Sequence, residues 1–366
     1  MMKKKILFHI NSLGKGGAEK VVTVLGKYFA KDGYEVVLAT LWRAEDEYEL
    51  DESVRRINFE DLHQGKKMGR IQRALSRFTD LSKVLKAEKP DIVISFCNKA
   101  NFRCAYSMMG SSTPLLTSVR NDPRMDYLPY KTSMKRMEKR ADGCVFQTPD
   151  AMSCFSKEFQ KKSKVIWNPV DEKYIKVPEI VERSRDIVCV GRFSAQKNQL
   201  LLLKAFERIR EQFPDTVLKL YGEESEKGAK AALLSFVEEH HMEDAVRFMG
   251  QSSHLEQEIH DAALFVLPSD YEGMPNALIE AMVMGIPVIS TDCPCGGPAQ
   301  LIEDGKTGIL VKVGDEEELA NAMRRLLSDK EYAAILGQNA KMLADKVSPD
   351  KVYEEWKAFV NALIEG

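Results

Sequence analysis

The chain has 366 residues, 44% hydrophobic and 30% charged, with a formal net charge of −2. That length exceeds one ordinary core, so two domains are expected, and the composition excludes disordered, fibrous and collagen-like classes. No apolar run approaches the roughly 18 residues of a spanning helix, and the stretch after Met1-Met2-Lys3-Lys4-Lys5 is only Ile6-Leu7-Phe8 before His9 and Asn11 interrupt it, which reads as a buried strand and not an export signal.

In chain order, strands are expected at Lys4–Ile10, Glu35–Thr40, Asp91–Phe96, Leu115–Val119, Gly143–Phe146 and Lys164–Trp167. They are rich in Val, Ile and Leu, as strands covered on both faces are. Helical patterns lie between them, such as Ala18–Ala30 with Val21, Val22, Leu25 and Phe29 on one stripe. Asn168 to Arg185 reads as a linker, and the alternation then restarts with Ile187–Val190, Val217–Tyr221, Val246–Met249, Leu264–Leu267, Pro287–Ser290 and Gly308–Val311. The βαβα order implies an α/β protein of two doubly wound, Rossmann-like halves, with ligands at the carboxyl ends of their strands and a cleft between the halves. The expected division is 1–170, 171–348 and a last helix, 349–366, returning to the first domain.

Charge is unevenly divided. Residues 1–170 carry 31 Lys and Arg against 20 Asp and Glu, and the remainder 22 against 35. An anionic partner is therefore expected on the first half only. Aromatic residues are not interleaved with the basic ones in a stacking pattern, which argues against nucleic acid and for a phosphorylated acceptor or an anionic membrane surface. The seven cysteines are scattered, which suits a reducing cytosol. Cys293-Pro-Cys295 lacks neighbouring His or further Cys at metal spacing and reads as a loop near a helix start.

Three motifs carry chemistry. Gly14-Lys-Gly16-Gly17-Ala-Glu19 sits between the first strand and first helix, where glycines admit a close ligand and a helix N-terminus offers N–H groups; a plain tight turn fits equally. With Glu19 where the dinucleotide fingerprint wants a third glycine, nicotinamide binding is disfavoured. Gly191-Arg192-Phe193 with Lys197-Asn198 follows the first strand of the second half. There a guanidinium fork and an ammonium can converge on one diphosphate, although two solvated surface cations are the commoner fate of such residues. Glu272-Gly273-Met274-Pro275-Asn276-Ala277-Leu-Ile-Glu280 leads from a strand into an apolar helix, with Pro275 suited to its first turn. Its N–H groups can hold phosphate, Glu272 can bind sugar hydroxyls, and Glu280 ribose hydroxyls. A surface charge is the alternative for Glu280, but Ala277, Leu278, Ala281 and Met282 leave it little solvent face.

Gly16-Gly17-Ala-Glu19, Gly191-Arg192-Phe193 with Lys197-Asn198, and Glu272 and Glu280 spaced as Glu-x7-Glu together resemble the family-four retaining glycosyltransferases of the GT-B fold. Ser118-Val-Arg120-Asn121-Asp122-Pro123 and Cys293-Pro-Cys-Gly-Gly-Pro298 are similar to bacterial enzymes of polysaccharide and undecaprenyl-diphosphate-linked glycan assembly, in particular N-acetylgalactosaminyltransferases. The resemblance implies a UDP-sugar donor, a hexose or N-acetylhexosamine transferred with retention to a glycan or lipid-diphosphate-linked acceptor, and a cytoplasmic, peripheral location. It implies that Arg192 and Lys197 bind the diphosphate, Glu272 contacts the sugar, Glu280 the ribose, Gly273 to Ala277 the phosphate, and Met249, Gly250 and Gln251 flank the base. Gly16 and Gly17 would approach donor phosphate or acceptor. Many family members have a His where this chain reads Arg120-Asn121-Asp122, so Asn121 or Asp122 is expected to orient the acceptor hydroxyl.

No Asp-x-Asp pair occurs, and two cations can take the place of a divalent ion, so transfer without metal or other cofactor is expected. On the acceptor side Lys66, Lys67, Arg70, Arg73 and Arg77 recur at helical spacing, opposite Ile71, Ala74, Leu75 and Phe78; such a helix can lie on an anionic membrane, grip a diphosphate, or be an ordinary helix with a basic face. Lys131, Lys135, Arg136, Lys139 and Arg140 add positive charge to the same half. Two other readings use the same fold: a sugar-nucleotide epimerase, and a non-catalytic subunit that supports a true transferase.

Overall fold

The computed structural model describes residues 3–63, 69–180 and 182–366; Met1, Met2, Lys66 and Lys67, named above, lie outside the described residues. The chain divides into two compact units, Met1–Pro169 with Pro349–Gly366, and Val170–Ser348.

The first unit holds a seven-stranded sheet of β1 (Lys5–His9), β2 (Glu35–Thr40), β3 (Val54–Asn58), β4 (Ile92–Phe96), β5 (Leu115–Ser118), β6 (Gly143–Phe146) and β7 (Ser163–Val165). Their order is β3-β2-β1-β4-β5-β6-β7, all parallel. The second holds β8 (Ile187–Val190), β9 (Leu218–Tyr221), β10 (Val246–Gly250), β11 (Leu264–Leu267), β12 (Val288–Thr291) and β13 (Ile309–Val311), in the parallel order β10-β9-β8-β11-β12-β13. In each sheet the chain starts centrally, moves outward one way, then crosses to the other side of its first strand. The reversals between β1 and β4 and between β8 and β11 open crevices at the carboxyl ends. The glycine loop after β1, the Arg192 turn after β8 and the Glu272 loop after β11 all fall there.

Strand β3 has no counterpart among the expected elements. Its sequence, Val-Arg-Arg-Ile-Asn, lacks the apolar run of the others because it is an edge strand. Arg56 is satisfied by the Thr40 hydroxyl at 3.0 Å and by Glu47, whose carboxyl is lowered to about 2, chiefly by that guanidinium; Arg55 bonds Glu88. At the other edge β7 begins at Ser163 and ends at Val165, shorter than Lys164–Trp167.

The last helix, Pro349–Glu365, belongs to the first unit's core. Trp356 is fully buried and stacks on Phe96 at 5.6 Å, while Tyr353 donates to Asp32 at 2.7 Å. Gly143 makes room for it: a Cβ there would stand 2.7 Å from the Phe359 ring. Filling this site with an aromatic of that size stabilises by about 3–5 kcal/mol relative to alanine.

The helix Arg70–Glu88 departs from its expected packing. Its buried residues are Asp80, Leu81 and Val84, in its second half. Ile71 and Leu75 are 78% and 63% exposed, and Ala74 is also open, so the apolar positions opposite Arg70 and Arg73 face solvent. Periodicity reports that an apolar stripe exists; it does not report whether another element covers it.

Candidate functional site

The second unit gathers its charged motif residues by a network of small joints. Strand β8 ends at Val190, and Gly191 N–H donates to the Tyr221 carbonyl at 2.9 Å. The stem of Lys197 crosses Gly191: a Cβ there would lie 3.2 Å from Lys197 Cδ. Between them the chain makes a single 3-10 turn, Ala195–Lys197, and Asn198 takes a left-handed conformation (φ 44°) that caps the helix Gln199–Glu207 through its side chain. The same Asn198 side chain donates to Asp270 Oδ1 at 2.7 Å, and Gln196 donates to the Tyr271 carbonyl at 2.9 Å. The Lys197 turn is thus stapled to the loop after β11.

That staple brings Lys197 Nζ to 2.5 Å from Glu272 Oε1, which also accepts from the Ser269 hydroxyl at 2.7 Å. Both charged side chains are largely buried, Glu272 at 5% residue exposure. Desolvation makes such a pair costly unless each end is further satisfied, as Ser269 does for Glu272. Arg192 differs: it is exposed and makes no side-chain hydrogen bond or ion pair among the described residues. A guanidinium without a partner at a strand's carboxyl end keeps its donors for a ligand.

The helix Asn276–Val283 starts one residue later than the sequence suggested, with Pro275 as its N-cap and no side-chain cap. The Pro275 carbonyl takes the N–H groups of Leu278 and Ile279, so the helix itself supplies no acceptor to Asn276 and Ala277. Glu280 lies inside this apolar helix at 6% exposure, so it is not a surface charge. The Cys293-Pro-Cys-Gly-Gly-Pro loop buttresses the whole arrangement. Glu272 N–H donates to Pro294 O, Cys295 N–H donates to Glu272 O, and a Cβ on Gly297 would stand 1.8 Å from the Gly273 carbonyl. Burial first, then the Glu272 carboxylate, pushes the Cys293 thiol up to about 12, so it stays protonated. No group of three or more metal-type side chains occurs among the described residues.

Further along the same sheet edge, Gly250 (φ 74°) ends β10, and its carbonyl accepts from Gly222 N–H at 2.8 Å. Gly222 in turn packs on Gly191, where a Cβ would meet the carbonyl oxygen at 2.1 Å. Three strands therefore end in touching glycine backbones, flanked by Met249, 43% exposed, and exposed Gln251.

In the first unit Gly16 is the N-cap and Gly17 the first residue of the helix Gly17–Lys31. A Cβ on Gly16 would lie 2.3 Å from Glu19 Oε2, so the Glu19 carboxylate folds back over the helix start, which explains why glycine occupies 16. Arg120, after β5, donates to Ser118 Oγ and Asn168 Oδ1 and lies over the Phe96 ring at 5.4 Å, the ring whose other neighbour is Trp356. Its Nε has no partner among the described residues. Asp122 is buried and committed: it caps Arg124 N at 2.9 Å and pairs with Arg124, which also grips Asp150. Asn121 instead bonds Asp126, a carboxyl raised mainly by burial and countered by that bond. Arg70 and Arg73 are exposed, and Arg77 lies 5.8 Å from the Trp42 ring.

Ser269, Gln196 and Asp270 were not singled out by any motif, and Gly297 only as part of the Cys293-Pro-Cys-Gly-Gly-Pro298 stretch, because they act by holding other residues. Arg103 and His9 belong to no recognisable spacing either.

Two doubly wound units with cations and helix starts at the carboxyl edge define a GT-B protein. Residues 170–342 match the family Glycosyl transferases group 1, and residues 15–174 match Glycosyltransferase Family 4. The chain belongs to these family-four glycosyltransferases and is a glycosyltransferase. It is 26% identical over 368 residues, covering 96% of this chain and 97% of the other, to GalNAc-alpha-(1->4)-GalNAc-alpha-(1->3)-diNAcBac-PP-undecaprenol alpha-1,4-N-acetyl-D-galactosaminyltransferase of Campylobacter jejuni. It is 24% identical, over 94% of this chain and 91% of the other, to N-acetyl-alpha-D-glucosaminyl L-malate synthase of Bacillus anthracis. Among solved structures, Anabaena HepE in complex with UDP and glucose superposes with a TM-score of 0.83 at 19% identity, covering 98% of this chain and 99% of that one, a likeness of fold.

Proposed function

We propose that this glycosyltransferase moves a hexose or N-acetylhexosamine from a UDP-sugar, bound by its second unit, to a lipid-linked glycan bound by its first, with retention and without a metal ion. The observation that carries the donor reading is the pairing of Lys197 with Glu272 beside the unpartnered Arg192, ahead of the Asn276–Val283 helix start. When the bond between the anomeric carbon and the β-phosphate oxygen breaks, its electron pair stays on the diphosphate. Fixed cations and helix-terminal N–H groups aimed there stabilise that charge. The acceptor oxygen bonds the anomeric carbon, and its proton leaves on the released diphosphate. Glu272 holds Lys197 in place and offers its free oxygen to sugar hydroxyls; Glu280 takes the ribose; the touching glycines leave a flat shelf for the base between Met249 and Gln251.

The lipid-linked acceptor is supported by the Campylobacter jejuni relatives, whose names specify undecaprenol-diphosphate glycans. Arg120 and Asn121 face this acceptor, while Asp122 shapes their turn. Exposed Ile71 and Leu75 beside Arg70 and Arg73 form a basic, apolar face suited to an anionic bilayer at the cytoplasmic side. No helix of the described residues is long and apolar enough to cross a membrane. A thermal-shift screen of sugar nucleotides tests the donor: a ligand at 100 times its Kd adds about 2.7 kcal/mol, and a UDP-sugar should give the largest shift. Release of UDP that requires added acceptor supports transfer; release at equal rate without it contradicts the transferase reading.

A further inference from the structure

We propose that the first unit contains a built anion site centred on Arg103, which takes a phosphate or diphosphate ester. This deepens the acceptor reading above and rests on it for the identity of the ester, though not for the anion.

Arg103 lies on the helix Asn98–Ser107 and is 5% exposed. Its Nη1 donates to His9 Nε2 at 2.7 Å and to Asn11 Oδ1 at 3.2 Å. His9 ends β1, and its Nδ1 lies 2.9 Å from the Ala39 carbonyl. A carbonyl only accepts, so Nδ1 carries the proton and Nε2 presents its lone pair to Arg103. The imidazole is thus neutral, and burial, reinforced by the adjacent guanidinium, lowers it to about 3. The histidine anchors Arg103 without neutralising it.

Burial is the main influence on Arg103, followed by the Cys104 thiol, which burial pushes up to about 12 and so leaves neutral, and by Arg77, which repels. No carboxylate pairs with it among the described residues. Its Nε is buried without a partner, and Nη2 makes no hydrogen bond among the described residues. A buried, unpaired guanidinium is costly, and proteins tolerate such groups chiefly where a ligand completes them. Arg77 approaches from the helix Arg70–Glu88, its own guanidinium beside the Trp42 ring. Asn11 and Trp42 follow β1 and β2, at the carboxyl edge next to the sheet's reversal. Two guanidiniums that repel each other attract a doubly charged ligand together. Nη2, which carries no hydrogen bond and is not closed off as Nε is, is the donor presented to a phosphate oxygen.

The test is calorimetric titration of inorganic pyrophosphate into the full chain with UDP held saturating, so that the donor site is filled. Wild type should bind pyrophosphate, and Arg103→Gln and Arg103→Lys should each weaken it at least about tenfold, Arg77→Gln several-fold. Hydrogen exchange in β4 and β5 of the same variants should match wild type, which shows that the first unit is folded, and UDP should bind them as it binds wild type. Failure of the donor reading would appear separately, as absent UDP binding in every protein, while the dependence of pyrophosphate binding on Arg103 would still be measured. A short-chain prenyl diphosphate that binds more tightly than pyrophosphate identifies an acceptor ester; inorganic phosphate binding as well as either identifies a free-phosphate site. Pyrophosphate binding unchanged in both Arg103 variants, or absent from wild type, overturns the proposal.

Discussion

The two sheets have one topology but treat cations at their carboxyl edges in opposite ways. In the second unit Lys197 is locked to Glu272, and Arg192 stands in solvent beside it. In the first unit Arg103 and Arg120 are sunk among neutral acceptors, His9, Asn11, Ser118 and Asn168, with no carboxylate bonded to either. The difference teaches that a shared fold fixes where a ligand binds and leaves open how its charge is met. One edge holds a cation by a direct bond to an internal acid; the other holds its cations by neutral acceptors, with Glu19 acting on Arg120 only through space.

The comparison breaks most sharply at Arg192. Because the side chain is exposed and unpartnered, Arg192→Ala should lower kcat/KM by about 100-fold or more, while thermal unfolding stays within about 2 °C of wild type. Loss of fold together with activity would show Arg192 to be structural. Next, Trp356→Ala should cost about 3–5 kcal/mol, read as destabilisation of the first unit by hydrogen exchange in β4 and β5. UDP affinity in the second unit should be unaffected. Gly297→Ala sharpens the second edge alone. With a Cβ 1.8 Å from the Gly273 carbonyl, it should displace the Glu272 loop, at a cost of roughly 1–3 kcal/mol, and weaken UDP binding several-fold. Wild-type UDP affinity in that variant would separate the Cys-Pro-Cys loop from the site.

The smallest effect concerns His9. Its ordinary value of 6.5 falls to about 3 in the folded chain. Between those values the unfolded chain holds a proton that the folded chain does not, so this group's contribution to stability declines as pH falls from 6.5 toward 3. The slope is at most about 1.4 kcal/mol per pH unit. Denaturant unfolding of His9→Gln over that window should show a shallower loss; an unchanged slope would mean that His9 titrates normally.

Much of this architecture was legible in the sequence because covered parallel strands write themselves as apolar runs. Strand β3 was not, since it lacks an apolar run and its arginines are answered from outside the strand, by Glu47 nine residues before Arg56 and by Glu88, 33 residues after Arg55. The charged motifs of the second unit were legible because glycine, cation and acid fall at strand ends. That Lys197 would be held by Glu272 was not, because 75 residues separate them and the staple runs through Asn198, Asp270 and Gln196. On the first unit, spacing found Arg70, Arg73 and Arg77 on one helix but could not find Arg103, which is set apart by having no bonded carboxylate among the described residues.

The most direct measurement is calorimetric binding of UDP and of uridine to wild type, Arg192→Ala and Lys197→Ala. If both cations and the Asn276 helix start hold one diphosphate, each substitution weakens UDP at least about tenfold and leaves uridine within about twofold. UDP binding equally well to all three proteins would contradict the account.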